Sequence, residues 1–199
     1  ELRTSKEKEF KMPKKCPVCS QPIKKIGGQV AYRCINEDCP AIKREAVYHL
    51  VSRRAFDIDG IGPKIIDQLM ETGLVCDPAD LFSLKRDDLL NLERFADKSA
   101  DNAINAIRSK KKISFDRFIY SLGMPNVGEE TAFVLAKKFK NFKNLMSASL
   151  EDFQKISDIG PIVAESIYSW FNKPYNKKLI DKFIKRGVAI QEEKGGSNK

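Results

Sequence analysis

The feature that most limits how this chain can fold is a five-residue frame, apolar–x–x–apolar–small, that occurs four times. The copies are Ile58-Asp59-Gly60-Ile61-Gly62, Leu92-Glu93-Arg94-Phe95-Ala96, Met124-Pro125-Asn126-Val127-Gly128 and Ile156-Ser157-Asp158-Ile159-Gly160. Their last positions, 62, 96, 128 and 160, lie 34, 32 and 32 residues apart. Four residues past each stands Ile66, Ala100, Ala132 or Ala164, and three further stands Leu69, Ala103, Leu135 or Ile167. A fixed period of this size marks a repeated supersecondary unit. Each frame reads as a tight turn entering a helix. Gly62 is expected to take a positive φ without steric cost, and Pro63 suits the first helical position, where an N–H is not needed. Such a turn aims backbone N–H groups outward at a helix N-terminus, which favours an anion.

Between the frames the texture is helical. Apolar spacing predicts helices over residues 64–71, 79–84, 87–92, 99–111, 114–122, 129–139, 150–156, 163–171 and 175–185. A stripe of Ile42, Ala46, Leu50 and Val51 predicts an earlier one. Strand character appears only around the cysteines, as in residues 29–33. The fold class is therefore mainly α: four tandem helix–hairpin–helix units over residues 42–190, hairpins near 58–62, 92–96, 124–128 and 156–160. Residues 1–15 are charged and aperiodic and read as a linker. Residues 191–199 read as a disordered tail. Tyr168, Trp170 and Phe171 are expected in the core.

Four of the five cysteines fall in residues 16–41. Cys16 and Cys19 form one knuckle, Cys34 and Cys39 a second, with Gly27-Gly28 available for the turn between. Two such knuckles bring four thiolates into a tetrahedron that suits one structural zinc with no open position. So short a segment has too little apolar surface to fold without the metal. The competing readings are iron, a disulfide pair or a redox C-x-x-C. Cys76 reads as a core or loop thiol, and His49 as a structural residue.

Charge narrows the partner. The 199 residues carry a formal net charge of +9, which favours an anionic partner, nucleic acid above others. The excess is uneven: residues 1–44 have 11 Lys/Arg against 5 Asp/Glu, and residues 45–199 have 25 against 22. Any anion contact in the helical part must therefore be made at chosen places. The turns supply such places. Backbone N–H groups at Gly60, Ile61 and Gly62, at Asn126, Val127 and Gly128, and at Asp158, Ile159 and Gly160 could hold phosphates without reading bases. Lys64, Arg94 and Lys98 would add charge and make binding fall with salt. In the second frame Ala96 is expected to resist a positive φ and to crowd a phosphate. That copy is read as a packing element whose Arg94 side chain reaches DNA. The plainer alternative is that the glycines only permit tight turns. Arg53 and Arg54 could touch phosphate or be ion-paired. No Ser/His pair, carboxylate cluster or open metal site suggests chemistry in this stretch, so no catalytic residue is assigned. No apolar run approaches membrane-spanning length and the first residues are polar, so a cytoplasmic monomer is expected.

The finger and the turns together resemble one family. Cys16-Pro17-Val18-Cys19, Cys34, Cys39-Pro40, the run from His49 to Gly62, Pro78-Ala79-Asp80-Leu81-Phe82 and Asn126-Val127-Gly128-Glu129-Glu130-Thr131-Ala132 resemble bacterial NAD-dependent DNA ligase. The resemblance covers about residues 10–190. It implies a Cys₄ zinc finger on Cys16, Cys19, Cys34 and Cys39, joined to helix-hairpin-helix motifs that grip the minor groove of nicked duplex DNA. It also implies that the adenylation and BRCT domains lie outside this stretch. On that reading NAD and Mg²⁺ serve only the longer parent enzyme, in replication and repair, and this part alone cannot seal a nick. The alternative is a stand-alone helix-hairpin-helix module for DNA repair or protein interaction, associated with a nuclease.

Overall fold

A computed structural model of the chain describes residues 11–25 and 30–192. The Gly27-Gly28 turn, the first ten residues and residues 193–199 lie outside the described residues. The chain divides into two compact units, Glu1–Lys43 and Arg44–Lys199.

In the first unit β1 (Ile23–Lys25) pairs antiparallel with β2 (Tyr32–Cys34), setting Ile23 opposite Cys34. Its second strand covers Tyr32–Cys34, where the alternation suggested residues 29–33, and its first strand, Ile23–Lys25, lies before that stretch. Among its described residues only Cys16 and Cys39 are buried hydrophobic residues. Helix α1 (Pro40–Val51) then carries the chain into the second unit. Its buried positions are Val47 and Leu50, while Ile42 from the anticipated stripe is exposed.

The second unit is helical, in the order α2 (Pro63–Glu71), a 3₁₀ helix (Pro78–Ser83), α3 (Arg86–Leu90), α4 (Asp97–Ser109), β3 (Lys112–Ser114), α5 (Phe115–Ser121), α6 (Glu129–Phe139), α7 (Phe142–Ser147), α8 (Leu150–Gln154), α9 (Pro161–Asn172), α10 (Pro174–Lys185) and β4 (Ala189–Gln191). Local chemistry explains the boundaries. Asp77 caps the 3₁₀ helix by accepting from the Ala79 amide, and Pro78 follows where no N–H is needed. Ser149 and Asp152 form a reciprocal capping box on α8. The α5 helix ends at Gly123, whose φ of +63° continues no helix.

Helix α3 packs on α4, α5 on α6, and α8 on α9. Across each turn the first and fourth residues of the frame point inward. Ile58 and Ile61, Met124 and Val127, and Ile156 and Ile159 are buried, as is Leu92, whereas Phe95 is half-buried. An aromatic cluster ties distant segments together. Phe56 and Phe82 rings lie 4.8 Å apart, and Phe118 and Phe183 meet edge-on at 5.7 Å. Polar links add to it. His49 Nε2 is 2.7 Å from the Tyr120 carbonyl, and its ring tilts against the Tyr120 ring. Arg117 donates to the carbonyls of Arg53 and Ala55.

Helix α7 and the strands β3 and β4 were not foreseen, since strand character was expected only around the cysteines. Helix α7 opens at Asn141, whose side chain accepts from the Asn144 amide. Strand β4 pairs parallel with β3, placing Ile190 beside Ile113. Gln191, which the sequence placed in a disordered tail, is thus the last residue of a strand. The Glu192 carboxylate accepts from the Phe142 amide. Trp170 and Phe171 are buried as expected, but Tyr168 is exposed.

Candidate metal centre and nucleic-acid interface

In the first unit two turns aim the thiols at a common point. The Ser20 amide donates to the Cys16 carbonyl and the Cys16 amide to that of Gln21, with Ser20 at φ +58°. The Cys39 amide donates to the Asn36 carbonyl. The sulfurs of Cys16, Cys19, Cys34 and Cys39 all lie within 4.8 Å of one another. Cys16 and Cys39 sulfurs are 3.8 Å apart and Cys19 and Cys34 sulfurs 3.5 Å. Four sulfurs around zinc at their usual bond length would be spaced by about 3.8 Å. A disulfide needs about 2.0 Å, and all five cysteines are free. The donor set fits one zinc ion and leaves no ligand position for catalysis.

The protonation behaviour of the thiols supports a cation among them. Hydrogen bonding from the Gln21 backbone amide is the main influence that brings Cys19 down to about 6, with the neighbouring thiols helping. The Asn36 amide pulls Cys34 the same way, but burial and the sulfurs of Cys19 and Cys16 push it up to about 12. Cys19 and Cys34, 3.5 Å apart, thus oppose each other's ionisation, and a divalent cation beside them would relieve that repulsion. Cys76 is exposed and its sulfur lies 3.7 Å from the Gly73 carbonyl, as a loop thiol.

In the second unit the four turns differ from the simple expectation in one respect. Gly62, at φ −86°, is the N-cap of α2 and does not use a positive φ. Gly128 at −88° and Gly160 at −69° cap α6 and α9 in the same extended way. Ala96, at φ −121°, meets no backbone strain either. The left-handed position is the third of the frame: Gly60 at +79°, Arg94 at +66° and Asn126 at +65°. The cost of a non-glycine residue there, about 1–3 kcal/mol, falls on Arg94 and Asn126.

Glycine at 62, 128 and 160 is therefore not required by backbone conformation. Nor is it required by packing, because a Cβ at any of the three would meet nothing within 4 Å. Their amides have no hydrogen-bond partner among the described residues. These are exposed turn positions whose amides have no partner and whose side-chain position is open. The second turn is different: the Ala96 amide donates to Ser99 Oγ of its own helix, so that donor is already taken.

Gly60, Gly62, Lys64, Arg94, Lys98, Asn126, Gly128, Asp158 and Gly160 are exposed. Ile61, Val127 and Ile159 are buried in the core, so they can offer only main-chain atoms to a partner. Turns one and two flank an open groove of about 1070 Å³, whose lining includes Gly60, Gly62, Lys64, Arg94, Phe95 and Ser99. The Gln68 side chain of α2 bridges them by accepting from the Glu93 amide at 3.0 Å. Turns three and four are bridged by Ser166 of α9, which donates to the Pro125 carbonyl at 2.6 Å. Neither Gln68 nor Ser166 stood out in the sequence. Arg54 pairs with Glu129 at the start of α6, 2.5 Å away, which is one of the roles the sequence left open for it beside phosphate contact and solvation.

Comparison with known proteins joins these two regions. Residues 15–41 match the NAD-dependent DNA ligase C4 zinc finger domain. This stretch is similar to the zinc finger of the NAD-dependent DNA ligases. Behind it, residues 52–109 match a SAM-like helix-hairpin-helix tandem and residues 117–180 a helix-hairpin-helix motif. Whole-chain similarity agrees with the ligase finger. The DNA ligase of Halothermothrix orenii is 44% identical over 195 residues, 98% of this chain and 29% of that protein. The DNA ligase of Nitrosococcus oceani is 45% identical over 193 residues, 96% of this chain and 29% of that protein. That of Natranaerobius thermophilus is 44% identical over 192 residues. The chain thus spans about 29% of the length of these curated relatives. Among the described residues no helix is long and apolar enough to cross a membrane.

Proposed function

We propose that this chain is the part of an NAD-dependent DNA ligase that holds duplex DNA, without regard to base sequence, while the parent enzyme seals a nick. The amides at Gly62, Gly128 and Gly160, with those of residues 60, 61, 126 and 158, bind backbone phosphates across the minor groove, whereas the Val127 and Ile159 amides already donate to Met124 and Ile156 and are not free to do so. Lys64 and Lys98 add long-range attraction. The second turn, its amide closed by Ser99, contributes through the Arg94 guanidinium. Zinc on Cys16, Cys19, Cys34 and Cys39 shapes the first unit and takes no part in chemistry. The NAD and Mg²⁺ of the reaction belong to other parts of the parent, which acts as a cytoplasmic monomer.

One observation carries this reading: three glycines that neither φ nor packing demands, each leaving an amide without a partner. Their shared property is room for something that approaches the main chain closely. A phosphate oxygen fits that need because the donor is a helix N-terminus.

The test is titration of labelled nicked duplex at two salt concentrations with the wild type and Gly128→Ala. The wild type binds, with affinity falling steeply as salt rises. Gly128→Ala folds with stability within about 0.5 kcal/mol of the parent, since the new methyl meets open space, yet binds about tenfold more weakly. Equal binding by the variant would remove the phosphate contact from that turn. The same chain incubated with nicked DNA, NAD and Mg²⁺ leaves the nick unsealed; sealing or cleavage would overturn the assignment.

A further inference from the structure

The two bridging hydrogen bonds are not scattered. Gln68 lies six residues past Gly62 in α2, and Ser166 lies six residues past Gly160 in α9, so they occupy equivalent positions of the repeat. Each reaches the second residue of the neighbouring frame: Gln68 the amide of Glu93, Ser166 the carbonyl of Pro125. In both cases the next residue is a left-handed non-glycine, Arg94 at +66° and Asn126 at +65°. Turns one and four, which supply the braces, have no left-handed non-glycine residue; Gly60 takes the positive φ in turn one.

A left-handed non-glycine persists only where its surroundings over-determine it. The backbone groups that could do so locally are limited. In turn two the Phe95 amide donates to Leu92 at 3.3 Å, and in turn three Val127 to Met124 at 3.1 Å. The brace from the neighbouring helix fixes the Pro125–Asn126 peptide directly ahead of the strained residue in turn three, and the Leu92–Glu93 peptide one bond earlier in turn two. It thereby sets the direction in which the Arg94 and Asn126 side chains leave the turn, and it ties turn two to turn one and turn three to turn four.

We propose that Gln68 and Ser166 are positioning residues for nucleic-acid binding: each holds the strained turn of the adjacent hairpin, so that the two turns of a pair present their donors at one fixed separation. This rests on the phosphate-binding reading above. It adds that the spacing within each pair of hairpins is set by side chains with no contact of their own to the ligand.

The experiment is a double-mutant cycle on the full 199-residue chain, read by binding to labelled duplex and by thermal melting. Gln68→Ala weakens binding about fivefold, the size of one lost hydrogen bond. Its salt slope stays that of the wild type, because no cation is removed. Arg94→Gly removes both the strain and the guanidinium, and lowers the salt slope by about one. In that background Gln68→Ala has no further effect on affinity, since nothing remains for it to position. Ser166→Ala weakens binding likewise and less than additively with Asn126→Gly, which relieves the strain at that turn but leaves its amides, and Ser166→Thr, which keeps the donor, restores wild-type binding. Additive losses in both cycles would reduce the two residues to ordinary fold stabilisers and overturn the proposal. So would wild-type affinity in Gln68→Ala and Ser166→Ala. Failure of the wild type itself to bind duplex would instead sink the phosphate-binding reading.

Discussion

The two units of this chain reach a defined structure by opposite means. Among the described residues of the first unit, the only buried hydrophobic side chains are Cys16 and Cys39, both part of the sulfur cluster. The second unit buries a continuous core that runs from Val47 to Val188 and includes Phe56, Phe118 and Phe183. One unit is organised around a point, the other around a volume. A point of four thiols fails all at once when a ligand is lost, because nothing else opposes chain entropy. A packed volume loses stability in increments, one side chain at a time. The contrast shows why the finger's residues could be named from spacing alone, while the helical core had to be read from periodicity.

The largest test of this contrast is metal removal. A strong chelator, or Cys39→Ser, is expected to unfold the first unit, since structural zinc supplies about 10–16 kcal/mol of folding energy in comparable modules. Bound zinc falls from one per chain to none, and NMR signals of residues 11–25 collapse to unfolded positions. The melting transition of the helical unit stays where it was. A downward shift of that transition would break the comparison, because it would mean that the two units share stability.

The next largest is a core truncation. Phe183 is 1% exposed and packs against Phe56, Phe82 and Phe118. Phe183→Ala is expected to cost about 3–5 kcal/mol of helical-unit stability, measured by denaturant unfolding, with zinc content unchanged. Loss of zinc in this variant would again deny the units their independence.

The smallest is acid. Hydrogen bonding from Lys110, 2.7 Å away, holds the Asp57 carboxyl below its ordinary value. A depressed folded-state pKa stabilises above the unfolded value near 4, and that contribution disappears as pH falls through the lowered folded value. Asp57→Asn should lower stability at neutral pH by what the pair contributes, flatten that part of the stability curve, and change little at the acid end. Protons also compete with zinc for the thiolates, and thiols begin protonating far above the carboxylate range. On acidification the first unit should release its metal before the helical unit loses this pair. Simultaneous loss would refute the separation.

How much of this was visible in the residues depends on the range of the cause. The frame positions that face inward were legible, because an apolar residue three before another across a turn is a local pattern. So was α6, whose anticipated limits of 129 and 139 match the helix, with two carboxylates at its start and two lysines in its last turn. The glycine roles were half-legible. Glycine at the end of a frame invited a positive φ, but the turn places its left-handed residue two positions earlier, and Arg94 and Asn126 tolerate it there. The α7 helix escaped notice because six residues are too few to show a period. The braces at Gln68 and Ser166 were invisible, since each depends on which hairpins become neighbours. Similarly, β4 lies beyond any local signal: a three-residue strand whose partner, β3, is on the far side of six helices.

That last pairing has a mechanical consequence. Parallel strands joined by a long crossover carry a load differently from a hairpin. The chain enters the pair at Lys112 and leaves it at Gln191, which are at opposite ends of the ladder. Tension along the polypeptide therefore slides β3 against β4 and strains their hydrogen bonds together, where a hairpin would be peeled open one rung at a time. The last two hairpins thus sit inside a buckle fastened in shear.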